Sequence, residues 1–167
     1  MAFLRGINVG GNSLLPMSEL LTICEGAGFK NVRTYIQSGN VLFESGLSET
    51  FLVNELQQAL LEKKQIELSV MVRTINELEA VISHNPFPNK NNSQVGVMFF
   101  ADTVPQNLIE GMFCPGREEV VLSGREIFIY YPDGMGRSKL KFPKTSQKGT
   151  IRNINTITKL VGLCREM

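Results

Sequence analysis

Three short segments hold the side chains whose types and spacing suit chemistry. The first, Arg5-Gly6-Ile7-Asn8-Val9-Gly10-Gly11-Asn12, reads as the link between a strand and a helix. Glycines let backbone N–H groups converge, and the helix start adds the positive end of its dipole. Arg5 and Asn8 supply further donors, so the loop suits a phosphate or carboxylate. It has neither the Gly-Lys-Ser/Thr ending of a Walker A loop nor the Gly-x-Gly-x-x-Gly spacing of a dinucleotide site. The second segment runs from Asp133 to Lys141 and carries Arg137, Ser138 and Lys139 on a glycine-hinged connection of unusual length. The third, Thr150 to Lys159, gathers Arg152, Asn153, Thr156 and Lys159 around the start of the last helix. Each segment also has a plain structural reading. Gly10 and Gly11 suit a tight turn needing positive φ, the second segment a solvated loop, and Asn153 or Asn155 a helix N-cap.

Other chemistries find little support. His84 is the only histidine, which excludes a multi-histidine metal site and leaves a serine triad nothing else to build on. No metal site and no cofactor is expected. Glu118 and Glu119 read as the solvent face of a strand, and no carboxylate pair stands at a loop end. Phe99, Phe100 and Phe128 fit a core better than a base-stacking platform, and no RNA-recognition aromatic signature is present. Cys24, Cys114 and Cys164 are odd in number and widely spaced, which argues against a disulfide framework or zinc site and fits a reducing compartment.

The 167 residues suffice for one large or two small domains, and the 43% hydrophobic fraction provides a core. A net charge of +1 is too small for a protein that coats nucleic acid without specificity. No apolar run is long enough to span a bilayer, and residues 1–8, interrupted by Arg5, do not read as a signal peptide. A cytoplasmic location is expected.

Periodicity positions the three segments. A strand from Ala2 to Ile7 precedes a helix from about Pro16, whose apolar stripe (Met17, Leu20, Leu21, Cys24) ends at Gly28. Strands at Val32–Ile36 and Asn40–Glu44 form a hairpin. A helix capped by Ser48 runs to about Lys64, and a strand follows at Glu67–Arg73. The order βαββαβ is that of a ferredoxin-like unit. After a short helix and the Asn85–Asn92 connection the pattern restarts. Val95–Ala101 is a strand, Asp102 or Thr103 caps a helix bearing Leu108, Ile109 and Met112, then come two hairpin strands and a final helix. The prediction is an α+β protein of two ferredoxin-like (α/β-plait) subdomains with mainly antiparallel sheets, the second lacking an obvious final strand. The boundaries are 1–73, a 74–92 connection, and 93–167. The repeat is one of element order, without residue-level identity.

The strings Leu4-Arg5-Gly6-Ile7-Asn8-Val9-Gly10-Gly11, Thr34-Tyr35-Ile36-Gln37-Ser38-Gly39-Asn40-Val41, Val72-Arg73-Thr74, Asn85-Pro86-Phe87, Gly136-Arg137-Ser138-Lys139-Leu140 and Thr150-Ile151-Arg152-Asn153 resemble the bacterial domain-of-unknown-function family 1697. The resemblance implies two ferredoxin-like subdomains and implies no activity. This chain has Ile154 where relatives tend to have tryptophan after the Arg-Asn pair.

Cations, amides, hydroxyls and glycines dominate these motifs, which favours recognition of an anion over acid–base catalysis. The expected ligand is a phosphorylated metabolite, a nucleotide or a nucleic-acid end. Its expected contacts are Arg5, Asn8, Gly10, Gly11, Asn40, Arg137, Ser138, Lys139, Arg152, Asn153, Thr156 and Lys159. A phosphoryl- or acyl-transfer enzyme is the second reading, without a convincing catalytic set. A protein-interaction module is the third, with the open edge of the second sheet as a route to a homodimer. A fourth reading has the polar motifs hold the two halves together. No membrane partner is expected.

Overall fold

A computed structural model describes residues 1–8, 15–143 and 149–167. Among these the chain is α+β, with four α-helices and two four-stranded antiparallel sheets. It divides into one unit of Met1–Ile75 with Leu163–Met167, and a second of Asn76–Gly162.

The first unit contains β1 (Ala2–Leu4), α1 (Met17–Gly26), β2 (Lys30–Tyr35), β3 (Asn40–Glu44), α2 (Glu49–Lys64) and β4 (Val70–Val72), with strand order β2-β3-β1-β4. Cross-strand partners share a face, so the pairings Ala2↔Val41 and Ala2↔Val72 line up one apolar row. Ala2, Leu4, Val41, Val70 and Val72 belong to the same core as Leu20, Ile23 and Cys24 of α1 and Leu52, Leu56 and Leu60 of α2. Helix α1 stops as its sequence predicts. Gly28 takes φ +83°, its N–H reaches the Glu25 carbonyl, and the Phe29 N–H reaches the Cys24 carbonyl, the paired bonds of a Schellman motif. Ser48 caps α2 by accepting from the Phe51 N–H.

The second unit holds most of α3 (Ile75–Ser83), then β5 (Val95–Phe99), β6 (Glu119–Ser123), β7 (Glu126–Tyr130), β8 (Thr150–Asn153) and most of α4 (Ile154–Arg165), with order β6-β7-β5-β8. One sheet face presents Ile127 and Ile129 to Phe100, Val104, Leu108 and Tyr131, with Met98, Ile151, Leu140 and Phe142 packed around them.

Two expectations are corrected here. The second sheet does not lack its fourth strand, because β8 pairs with β5 through Val97↔Arg152 and Phe99↔Thr150. Three of its four residues are polar and they run into α4 without a turn, so they read as the start of the helix. The partner strand invoked to fill this position is therefore not needed. The helix expected after a cap at Asp102 or Thr103 is only a 3-10 turn at Gln106–Leu108. Pro105 and Gly111 outweigh the helical spacing of Leu108, Ile109 and Met112.

Aligning the two fourth strands also reveals residue identity between the halves. Val72-Arg73-Thr74-Ile75-Asn76 corresponds to Ile151-Arg152-Asn153-Ile154-Asn155, and in both a helix begins at the isoleucine. Both arginines are buried, and each donates from its guanidinium to the carbonyl of the preceding residue, at 2.8 Å in Arg73 and 2.7 Å in Arg152. The two junctions thus share sequence, burial and hydrogen bonding.

Candidate functional site

In the first unit the predicted polar residues hold backbone. Asn8 has φ +55°, a conformation that asparagine tolerates better than most residues. Its amide donates to the carbonyls of Leu15 (2.9 Å) and Gln37 (3.0 Å), and its oxygen accepts from the Leu15 N–H (2.8 Å). Asn8 therefore closes the chain between positions 8 and 15 and ties it to the β2–β3 turn. Gly10 and Gly11 lie outside the described residues. Asn40, only 1% exposed, donates to the Tyr35 carbonyl and the Ser38 hydroxyl across the same turn. Arg5 is half-buried at the end of β1, where its N–H bonds the Ser69 carbonyl. Ile36, at the tip of this turn, is largely exposed at φ +49°, a strained conformation for a β-branched side chain. Arg73 lies within 3.6 Å of Glu49 at the start of α2.

In the second unit Arg152 donates to the Thr150 hydroxyl at 2.8 Å and is 7% exposed. Burial brings its pKa down to about 10. Asn153 accepts from the Thr156 N–H at 2.8 Å and so caps α4. Lys159 is exposed on that helix.

The segment that follows β7 has a more open chemistry. Ser138 donates to Glu118 and accepts from the Leu140 N–H. The Ser138 hydroxyl, chiefly, holds the Glu118 carboxyl below the usual range. Cys114, nearby, has its thiol pKa raised, by desolvation first and by Glu118 second, so it is not an activated nucleophile. Phe113 and Lys141 exchange both backbone hydrogen bonds, each 2.9 Å. Arg117 and Asp133 form an exposed ion pair at 3.1 Å. These contacts fasten residues 113–118 to residues 133–141. Arg137 and Lys139 are exposed. Among the described residues no group of three or more His, Cys, Asp and Glu is placed to hold a metal.

One signal is legible in the sequence but escapes a reading motif by motif. Residues 134–165 contain eight of the seventeen cations and none of the sixteen acids, so the other nine cations share their part of the chain with every carboxylate side chain. A net charge of +1 conceals this segregation. Arg137, Lys139, Lys141, Lys159 and Arg165 are its exposed members among the described residues.

No curated protein matches the chain. Among solved structures it is similar to a conserved bacterial protein, SP0830 from Streptococcus pneumoniae. The TM-score is 0.77 at 22% identity, covering 98% of this chain and 96% of that one, which is a likeness of fold. The family model described as "Protein of unknown function (DUF1697)" matches residues 1–128. Since that match spans well over half of the chain, the protein belongs to the DUF1697 family.

Proposed function

We propose that this protein binds a phosphorylated or otherwise anionic ligand through the acid-free segment of its second unit. The observation that carries the reading is charge segregation, seven cations and no carboxylate side chain over residues 134–162, the part of the acid-free run that lies in the second unit. Such a run of cations attracts anions to the surface around it, and the Glu118 carboxylate that reaches Ser138 is engaged by its hydroxyl. Arg137, Lys139 and Lys159 are the contacts proposed, with Lys141 added and the buried Arg152 as a further candidate. Arg5 is a separate candidate within the first unit, considered by itself. The hydrogen bonds made by Asn8, Asn40, Ser138 and Asn153 point to roles in holding loops rather than ligand. The strand order β2-β3-β1-β4, repeated as β6-β7-β5-β8, supports reading both units as ferredoxin-like plaits. In the second of these, the described crossover residues carry 3-10 turns at Gln106–Leu108 and Met135–Arg137.

The test is a thermal-shift series with inorganic phosphate, nucleotides and short oligonucleotides at low and high salt. It compares the native chain with Lys139→Ala and Lys159→Ala, both at exposed sites. A rise in midpoint that weakens in the variants and in salt supports the reading. Equal shifts in native and variant proteins would move the site elsewhere.

A further inference from the structure

Residues 137–142 alternate strictly in exposure. Arg137, Lys139 and Lys141 are exposed, whereas Ser138, Leu140 and Phe142 are partly buried. The inward set is anchored, Ser138 on Glu118 and both Leu140 and Phe142 against the core of the second unit. Ser138 has extended backbone, and Lys141 pairs antiparallel with Phe113. Three cations are therefore exposed on one anchored stretch of chain, Arg137 at the end of the 3-10 turn Met135–Arg137 and Lys139 and Lys141 beyond it. Alternate residues of extended backbone are roughly 6.6 Å apart, at about 3.3 Å per residue. Cations at such a spacing suit a positive groove that tracks the backbone of a single strand.

A second observation falls on the same side. Residues directly opposite in an antiparallel bridge direct their side chains to the same face. Phe113, the partner of Lys141, is 58% exposed, more than any other large hydrophobic side chain among the described residues. An exposed ring next to a row of cations combines the two parts of a single-strand site, a face on which bases stack and a positive track for the backbone.

We infer that Arg137, Lys139, Lys141 and Phe113 form a binding site for single-stranded nucleic acid. The inference rests on the anion reading above and narrows it to a polymer. The cations hold successive phosphates, and Phe113 stacks on a base. Ser138 and Leu140 position the cations from beneath.

Fluorescence anisotropy tests this with labelled oligothymidylates and oligouridylates of roughly 4 to 16 nucleotides, the range of known single-strand site sizes. Thymidine monophosphate and a duplex of the same length serve as competitors. Affinity is expected to rise with oligomer length. The slope of log K against log salt is expected near −2, from three contacts at about −0.7 each. Phe113→Ala should weaken binding about five-fold or more without changing that slope. The combined R137A/K139A/K141A variant should bring the slope close to zero, with its fold checked by circular dichroism. Monophosphate competing as well as the oligomer, or duplex binding more tightly than single strands, would overturn the inference and leave the anion reading intact. Binding that survives in the triple variant would overturn the location. If none of these probes nor inorganic phosphate binds, both readings fall together.

Discussion

Gly39 and Gly124 both follow a serine, both precede the third strand of their sheet, and both have positive φ, +70° and +61°. Replacing either by alanine incurs the left-handed penalty of about 1–2 kcal/mol. Their surroundings differ sharply. A Cβ on Gly39 would sit 2.6 Å from Ile7 Cδ1 and 2.9 Å from Leu4 Cβ, while one on Gly124 would meet nothing within 4 Å. The Ile7 side chain can rotate away, but Leu4 Cβ is fixed to β1, whose next contact is the Leu4 N–H to Gly39 carbonyl bond at 2.8 Å. Overpacking of this kind adds about 1–3 kcal/mol. Gly39→Ala is therefore expected to lose roughly 2–5 kcal/mol and Gly124→Ala only about 1–2. Urea titrations followed by circular dichroism read the difference as a shift in midpoint at constant slope. Equal losses in the two variants would refute the close approach of the turn to β1.

Asn8→Ala removes three hydrogen bonds and leaves alanine at positive φ, so a loss of about 2–3 kcal/mol is expected in the same titration. A neutral result would deny that Asn8 closes its loop. Cys24 is buried, with its thiol pushed up to about 12, and Cys114 is exposed. A thiol-reactive disulfide should label Cys114 in the native protein and Cys24 only on unfolding. Native labelling of Cys24 would contradict the core assignment. The depressed pKa of Glu118 contributes stability that is present above the ordinary glutamate value of 4.5 and lost as pH falls through the lower folded value. The stability gap between native protein and Glu118→Gln should therefore be widest near neutrality and close in acid. A gap that is constant with pH would show that the Ser138 bond does not depend on the carboxylate charge.

Much of the first unit was legible because its signals are local. Gly28 with Phe29 marks the end of α1, Ser48 the start of α2, and Gly39 the hairpin, and each acts through neighbours within a few residues. The second unit was less so. Strand β8 is held by pairing with β5, more than fifty positions earlier, and nothing within Thr150-Ile151-Arg152-Asn153 distinguishes a strand from the approach to a helix. Leu108, Ile109 and Met112 have helical spacing, but Pro105 and Gly111 withhold the backbone. Site residues were recognised by type, and type does not reveal occupancy. Asn8, Asn40 and Asn153 are donors or acceptors that a ligand could use, yet their partners are backbone groups brought to them by the fold. Phe113 carried no signal at all, because only the bridge to Lys141 puts it beside the cations. The shared Arg-x-Ile-Asn junctions emerged once β8 had been aligned with β4.

The most direct test of anion recognition by the second unit is backbone NMR of the isotope-labelled chain, titrated with an oligothymidylate at low salt. Amide shifts confined to Phe113, residues 137–142 and the start of α4, and reversed by added salt, are the predicted result. Shifts centred on the acidic groove between α1 and α2, lined by Glu19, Glu55 and Glu62, would contradict the account, as would a spectrum that the oligomer leaves unchanged.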